Sequence, residues 1–166
     1  IRDPDQHTTQ RISSDAIEPL ALKPEHVEVI RNAMHGVTVE GTSAKVFAGA
    51  SYSSGGKTGT AQAVGLRAGE KYSSVKADEH KRDHSLYVAF APTDNPTIAL
   101  AVIVENAGWG SGSAAPIARR VFDYWLSGQY PTDEDLAAVR KGQAMAPLSK
   151  PREAKDVAWP RVPLPN

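Results

Sequence analysis

Two apolar runs, Leu86 to Ala91 and Thr97 to Val104, flank the connector Pro92-Thr93-Asp94-Asn95-Pro96. Proline, aspartate and asparagine are turn formers, so the three segments read as a β-hairpin. Neither run alternates cleanly with polar residues, which implies cover on both faces. The expected fold class is therefore α+β, an antiparallel sheet flanked by helices. Helical patterns lie on either side. Pro24 suits a first helical position, and Val27, Ile30, Met34 and Val37 recur at helical spacing, so this stripe should face a core. Met34 is read as packing, while His26 and His35 fall off the stripe and are expected at the surface. Gly41 should end the helix, with Thr42 capping a short turn through Phe47. Further on, Ser113 is placed to cap a helix from about Ala114 to Leu126, with Pro116 in its first turn. Ile117, Val121, Tyr124 and Trp125 are its expected buried positions, and Gly128 ends it.

Between these helices lies Ser54-Gly55-Gly56-Lys57-Thr58-Gly59-Thr60-Ala61-Gln62, a polar strip poor in side chains and unsuited to a core. Side chains on an extended strand alternate between faces, so Thr58 and Thr60 should share one face, Lys57 and Gly59 the other. Such a strand can offer two hydroxyls and an ammonium to an anion, and its glycine admits close approach by other backbone. Gly56-Lys57-Thr58 also ends the phosphate-loop pattern G-x-x-x-x-G-K-[ST]. That pattern requires glycine where this chain has Ser51, and a helix where Gly59 and Gly65 stand.

Lys57-Thr58-Gly59-Thr60-Ala61-Gln62 resembles the K-T-G-T-A-Q strand of class B penicillin-binding proteins. Arg82-Asp83-His84, Ala89-Phe90-Ala91-Pro92 and Val104-Glu105-Asn106 resemble the elongation-type members, penicillin-binding protein 2. Met34 through Gly41-Thr42 resembles the helix and G-T turn before that strand, so the likeness runs over residues 24 to 127. The fold it implies is the C-terminal portion of the transpeptidase domain shared with serine β-lactamases. The activity it implies is cross-linking of peptidoglycan stem peptides. A serine attacks the carbonyl of a D-alanyl-D-alanine end, and the acyl-enzyme passes to an amine on a neighbouring stem. β-Lactam antibiotics mimic the donor and stall that intermediate. By resemblance, Lys57 and Thr60 are the catalytic residues here, and Lys57, Thr58, Gly59 and Thr60 bind substrate. Thr58 and Thr60 hydroxyls would hold the donor carboxylate, Lys57 would neutralise it, and the Thr60 N–H would be one of two oxyanion donors.

The departure from the family is the nucleophile. Ser54-Gly55-Gly56-Lys57 and Ser73-Ser74-Val75-Lys76 fit S-x-x-K in letters, but the first lies inside the anion-binding strand and the second in a polar loop. None of Asn32, Asn95, Asn106 and Asn166 completes an S-x-N motif. The nucleophile, its lysine and the S-x-N serine are expected upstream of Ile1, on a separate segment of the same protein, so this chain alone should be inert. The resemblance further implies the periplasmic face of a bacterial inner membrane, with the anchor outside this chain, and partners in the cell-wall elongation machinery. Two other functions share K-T-G: a serine β-lactamase or D,D-carboxypeptidase, and a non-catalytic β-lactam sensor module.

The remaining features set bounds. Lys and Arg number 19, as do Asp and Glu, so nothing draws the chain toward nucleic acid. Without cysteine there are no disulfides or thiolate metal sites. No apolar run is long enough to span a bilayer, and the chain opens on Ile1 and shows no signal segment, so either an export signal was removed or the chain is a piece of something longer. Asp3, Asp5 and His7 are read as a solvated lead-in. The stretch from Gly65 to Asp83 reads as a charged flap. His80 and His84, beside Asp78, Glu79 and Asp83, make a metal site conceivable, but nothing suggests the helix that would align the imidazoles. No metal or other cofactor is expected. Residues 1–128 form the expected portion of the transpeptidase domain. Residues 129–166, with half of the chain's prolines and a brief helix from Asp133 to Val139, form a surface-hugging or disordered tail in which Trp159 could dock back.

Overall fold

The computed structural model describes residues 21–65, 68, 69, 71, 73 and 78–157, with the backbone of 2–3 and 8–9. The acidic lead-in around Asp5 and His7, the lysine of Ser73-Ser74-Val75-Lys76, and Trp159 lie outside those residues. Strands β1 (Arg2–Asp3) and β2 (Thr8–Thr9) pair antiparallel. Helix α1 (Pro24–Val39) opens on its proline, whose missing N–H costs nothing at that position. It is followed by the short helix α2 (Ala44–Phe47) and by strand β3 (Gly55–Ala61). A 3₁₀ turn (Glu79–Lys81) leads into the hairpin of β4 (His84–Ala91) and β5 (Ile98–Val104). Helix α3 (Ala114–Ser127) comes next and ends at Gly128, whose φ of 62° is the left-handed conformation that glycine adopts freely.

β3, β4 and β5 form one antiparallel sheet in that order, which leaves β3 at an edge. Side chains opposed across a strand pair share a face. Thr58 opposes Tyr87, which opposes Val102; Lys57 opposes Val88, which opposes Ala101. Tyr87, Ala89 and Ala91 therefore point to one side, where they meet Val46 and Phe47 of α2 and Ala114, Ala115, Ala118 and Phe122 of α3. Phe47 stacks on Tyr87 at 6.1 Å between ring centroids, and Tyr52 meets Phe122 edge-on at 6.1 Å. Such contacts add roughly 0.5–1.5 kcal/mol each beyond the area they bury. On the opposite side α1 covers the start of β3, where Met34 lies beside Gly55 on the Phe90 side, while Val88 is 47% and Ile103 66% exposed. Cover on both faces, the expectation from the unbroken apolar runs, is thus complete on one face and partial on the other. The α1 stripe behaves likewise. Met34 and Val37 are partly buried, while Val27 and Ile30 are exposed to solvent.

Helix α3 is rotated from its expected face. Val121, Tyr124 and Trp125 are exposed, and Arg119, Arg120 and Asp123 are buried instead. The alanines let α3 approach the sheet closely, and ion pairing makes burial of the charged side tolerable. Arg119 Nε donates to Asp123 at 2.8 Å, and its Nη1 donates to the carbonyls of Val46 and Ala48, which α2 leaves without helical partners. Ser113 does not cap α3 with its side chain. The Ala114 N–H donates to Ser85 Oγ at 3.0 Å, so the cap comes from β4.

Residues 129–157 pack on α3. Strand β6 (Gln129–Tyr130) pairs with β7 (Arg152–Glu153), and helix α4 (Asp133–Arg140) starts with Thr132 Oγ1 accepting the Asp135 N–H. Arg120 reaches Asp135 through Nη2 at 2.6 Å and Nε at 3.0 Å, a bidentate pair with Asp135 fully buried.

Candidate active site

Lys57, Thr58, Gly59 and Thr60 occupy the middle of β3, on an edge of the sheet. Strand alternation separates them as the sequence pattern requires: Thr58 and Thr60 stand on the side of Tyr87 and Ser85, Lys57 on the side of Val88. Positions two apart on a strand are roughly 6.5–7 Å apart, so the two hydroxyls bracket a space of carboxylate size. Lys57 is exposed, and its Nζ donates to the Thr58 carbonyl at 2.8 Å. The ammonium is neither buried in an apolar contact nor set in a phosphate loop, since Gly56-Lys57-Thr58 runs on as strand to Ala61.

The strand is held from both ends and from behind. At its start the Ser54 carbonyl accepts from His35 Nδ1 at 2.8 Å and from Thr38 Oγ1 at 2.7 Å, which pins β3 to α1. His35 is therefore a partnered residue, not the free surface histidine its position off the apolar stripe suggested. Thr42, expected as a helix cap, instead places Oγ1 3.2 Å from Thr58 Oγ1. The cap position of α2 belongs to Ser43, which donates to the Val37 carbonyl and bonds the Tyr87 hydroxyl at 2.8 Å. Burial raises the ionisation point of Tyr87 and the bond to Ser43 lowers it, with burial the larger influence. Thr42 thus stands beside the candidate site and not at the cap its letters suggested; its G-T turn was the only signal.

Close approach requires glycine at several positions, Gly56 and Gly110 among them. A Cβ at Gly56 would overlap the Tyr87 hydroxyl, and one at Gly110 would strike the backbone of Gly59 and Leu86. Tyr87 is fully buried and cannot move aside. Gly56→Ala is expected to destabilise the protein by about 1–3 kcal/mol, read as a lower denaturant midpoint with unchanged slope. An unchanged midpoint would show that the Tyr87 pocket yields.

The serines nearest the strand are already engaged. Ser43 and Ser85 are fully buried and Ser54 is 3% exposed. Ser85 Oγ donates to the Trp109 carbonyl at 3.1 Å, and Ser53 Oγ is shared between Thr93 and Asp94. His84 begins β4, and its Nδ1 accepts the Asn106 N–H at 3.0 Å. His80 and His84 join no group of three metal-ligating side chains among the described residues.

The family model of the penicillin binding protein transpeptidase domain matches residues 3–123. Peptidoglycan D,D-transpeptidase MrdA of Haemophilus influenzae is 43% identical over 109 residues, which are 64% of this chain and 17% of that protein. The protein of the same name from Acinetobacter baumannii is 46% identical over 97 residues, 58% of this chain and 14% of its own length. The crystal structure of Pseudomonas aeruginosa PBP2 in complex with WCK 5153 is similar with a TM-score of 0.50 and 40% identity, over 63% of this chain and 20% of that one. The chain thus spans less than a fifth of the curated relatives named here. With an α+β layering, a K-T-G strand at the sheet edge and a family match over most of its length, the chain belongs to the penicillin-binding protein transpeptidase family.

Proposed function

We propose that the complete protein is a serine-type peptidoglycan D,D-transpeptidase of the elongation type and a target of β-lactams, and that this chain supplies the K-T-G strand without the nucleophile. The single observation that carries the reading is an exposed ammonium and two strand-spaced threonines on a sheet edge, beside serines that are all bonded or buried. In this mechanism a serine Oγ from an upstream S-x-x-K segment forms a bond to the carbonyl carbon of the penultimate D-alanine. The amide C–N bond breaks, and terminal D-alanine leaves with the proton. An amine from a second stem then displaces the serine, forming the cross-link and returning the proton to Oγ. Thr58 and Thr60 hold the donor carboxylate, Lys57 neutralises it and polarises the nucleophile's surroundings, and the Thr60 N–H stabilises the oxyanion. Lys57 lies on the same face as the exposed Val88 and Ile103, which offers the nucleophile-bearing segment an apolar seat beside the ammonium.

The protein acts at the periplasmic face of the inner membrane with the cell-wall elongation machinery, a placement that rests on identity to the MrdA relatives. Among the described residues no helix is long and apolar enough to cross a membrane. The test is to incubate the full-length protein with a fluorescent penicillin and, separately, with pentapeptide-bearing peptidoglycan. A stable acyl-enzyme together with cross-linked product supports the reading. Rapid turnover of the penicillin would assign a β-lactamase or carboxypeptidase, and a stable acyl-enzyme without cross-linking would assign a sensor.

A further inference from the structure

We propose that Asn106, in the turn after β5, is a positioning residue for the C-terminal half of β3. The proposal rests on the reading of Lys57 to Thr60 as the acyl-donor site. Asn106 is 22 residues or more from the segment it grips, and three bonds tie the two together. Its backbone N–H donates to His84 Nδ1 at 3.0 Å, and its side-chain amide donates to the carbonyls of His80 at 3.0 Å and Arg82 at 2.9 Å. The residue holds a φ of 53°, a left-handed conformation that asparagine tolerates better than other side-chain-bearing residues. A fourth bond extends the clasp, from the Gly108 N–H to the Asp83 carbonyl at 2.8 Å.

What is clasped is the stretch that sets the far end of the site. His84 opposes Ala61 and Ser85 opposes Thr60 across the β3–β4 pair. Asp83 Oδ1 also accepts the Ala63 N–H, at 3.4 Å, just beyond the end of β3. One turn therefore fixes the carbonyls of His80, Arg82 and Asp83 and the histidine opposite Ala61, and through them the height of Thr60. Thr60 brings both a hydroxyl and the oxyanion N–H, and those are useful only within a fraction of an ångström of their targets. Glutamine is too long to replace this residue, and alanine offers no donors and strains the positive φ.

The test uses Asn106→Gly, which keeps the left-handed turn and deletes both amide donors, in the full-length protein. Its first-order acylation constant with a fluorescent penicillin should fall about tenfold, the scale expected when a reacting group shifts by part of an ångström. Hydrogen exchange should quicken at Thr60 to Ala63 and stay unchanged at Tyr87 and Phe122, a localisation that a general loss of stability would not produce. Should the glycine variant fail to fold, Asn106→Asp keeps size and backbone preference while placing oxygen against both carbonyls, and the same two changes are expected. Acylation by either folded variant within about twofold of wild type, or exchange that rises equally at Phe122, would overturn the proposal. If the wild-type protein itself is not acylated, the functional reading fails, while the exchange pattern still tests whether Asn106 holds β3.

Discussion

Lys57→Ala in the complete enzyme should lower acylation by a fluorescent penicillin by about 10²–10³-fold, the loss seen when a preorganised charge-stabilising donor is removed from an acyl-transfer site. The reason lies in where the ammonium sits. It is exposed, and the bond to the Thr58 carbonyl ties it to the strand that carries the hydroxyls. Substitution at such a position leaves folding within about ±0.5 kcal/mol, so the effect falls on chemistry and the melting temperature stays nearly constant. Lys57→Arg retains the charge but replaces a compact ammonium with a planar fork, and should restore only part of the rate. Near-normal labelling of the alanine variant would remove Lys57 from the mechanism.

Asp135→Ala should destabilise the protein by about 3–5 kcal/mol, because it strands the Arg120 guanidinium in a buried site. Arg120 and Asp135 are 8% and 0% exposed at the side chain, and their two bonds are joined by others. Arg120 Nη1 donates to the Met145 carbonyl at 2.6 Å, and the Leu148 N–H donates to Asp135 Oδ1 at 2.9 Å. The pair thus clips residues 133–148 to the outer side of α3, and its loss should release that segment to protease before the sheet unfolds. The double variant Arg120→Met with Asp135→Leu removes both charges and should recover most of the stability, as buried ion pairs replaced by apolar residues commonly do. A single variant as stable as wild type, by chemical denaturation, would show that the ion pair carries no net weight.

These two residues mark different degrees of legibility. Lys57 was readable because a strand's alternation is local: the order Lys-Thr-Gly-Thr fixes which groups share a face, whatever the strand packs against. Asp135 was not, since its partner lies 15 residues away on another helix and nothing near it in sequence shows that it is buried. The same contrast explains α3. Its apolar residues at Val121, Tyr124 and Trp125 suggested one buried face, and all three are exposed. Small alanines and two paired arginines make the buried side, and the arginines are tolerated there through carbonyls up to 73 residues distant. Ser113 follows the rule, since it stands at the cap position, yet the working cap is Ser85 from the neighbouring strand. Thr42 likewise sits in the turn its letters indicate but bonds Thr58 across 16 residues.

By itself, then, the order of residues determined the three strands of the main sheet, the hairpin, the helix starts and the alternation of side chains along β3, because each depends on backbone sterics and spacing within one segment. Only the tertiary structure decided which helix face is buried, which polar groups cap or pin the strand, that α1 holds the start of β3, and that the Asn106 turn bonds His84 of β4. Those outcomes depend on hydrogen bonds and ion pairs between groups far apart in the chain. Their strength comes from exclusion of water, which no short stretch of residues can reveal.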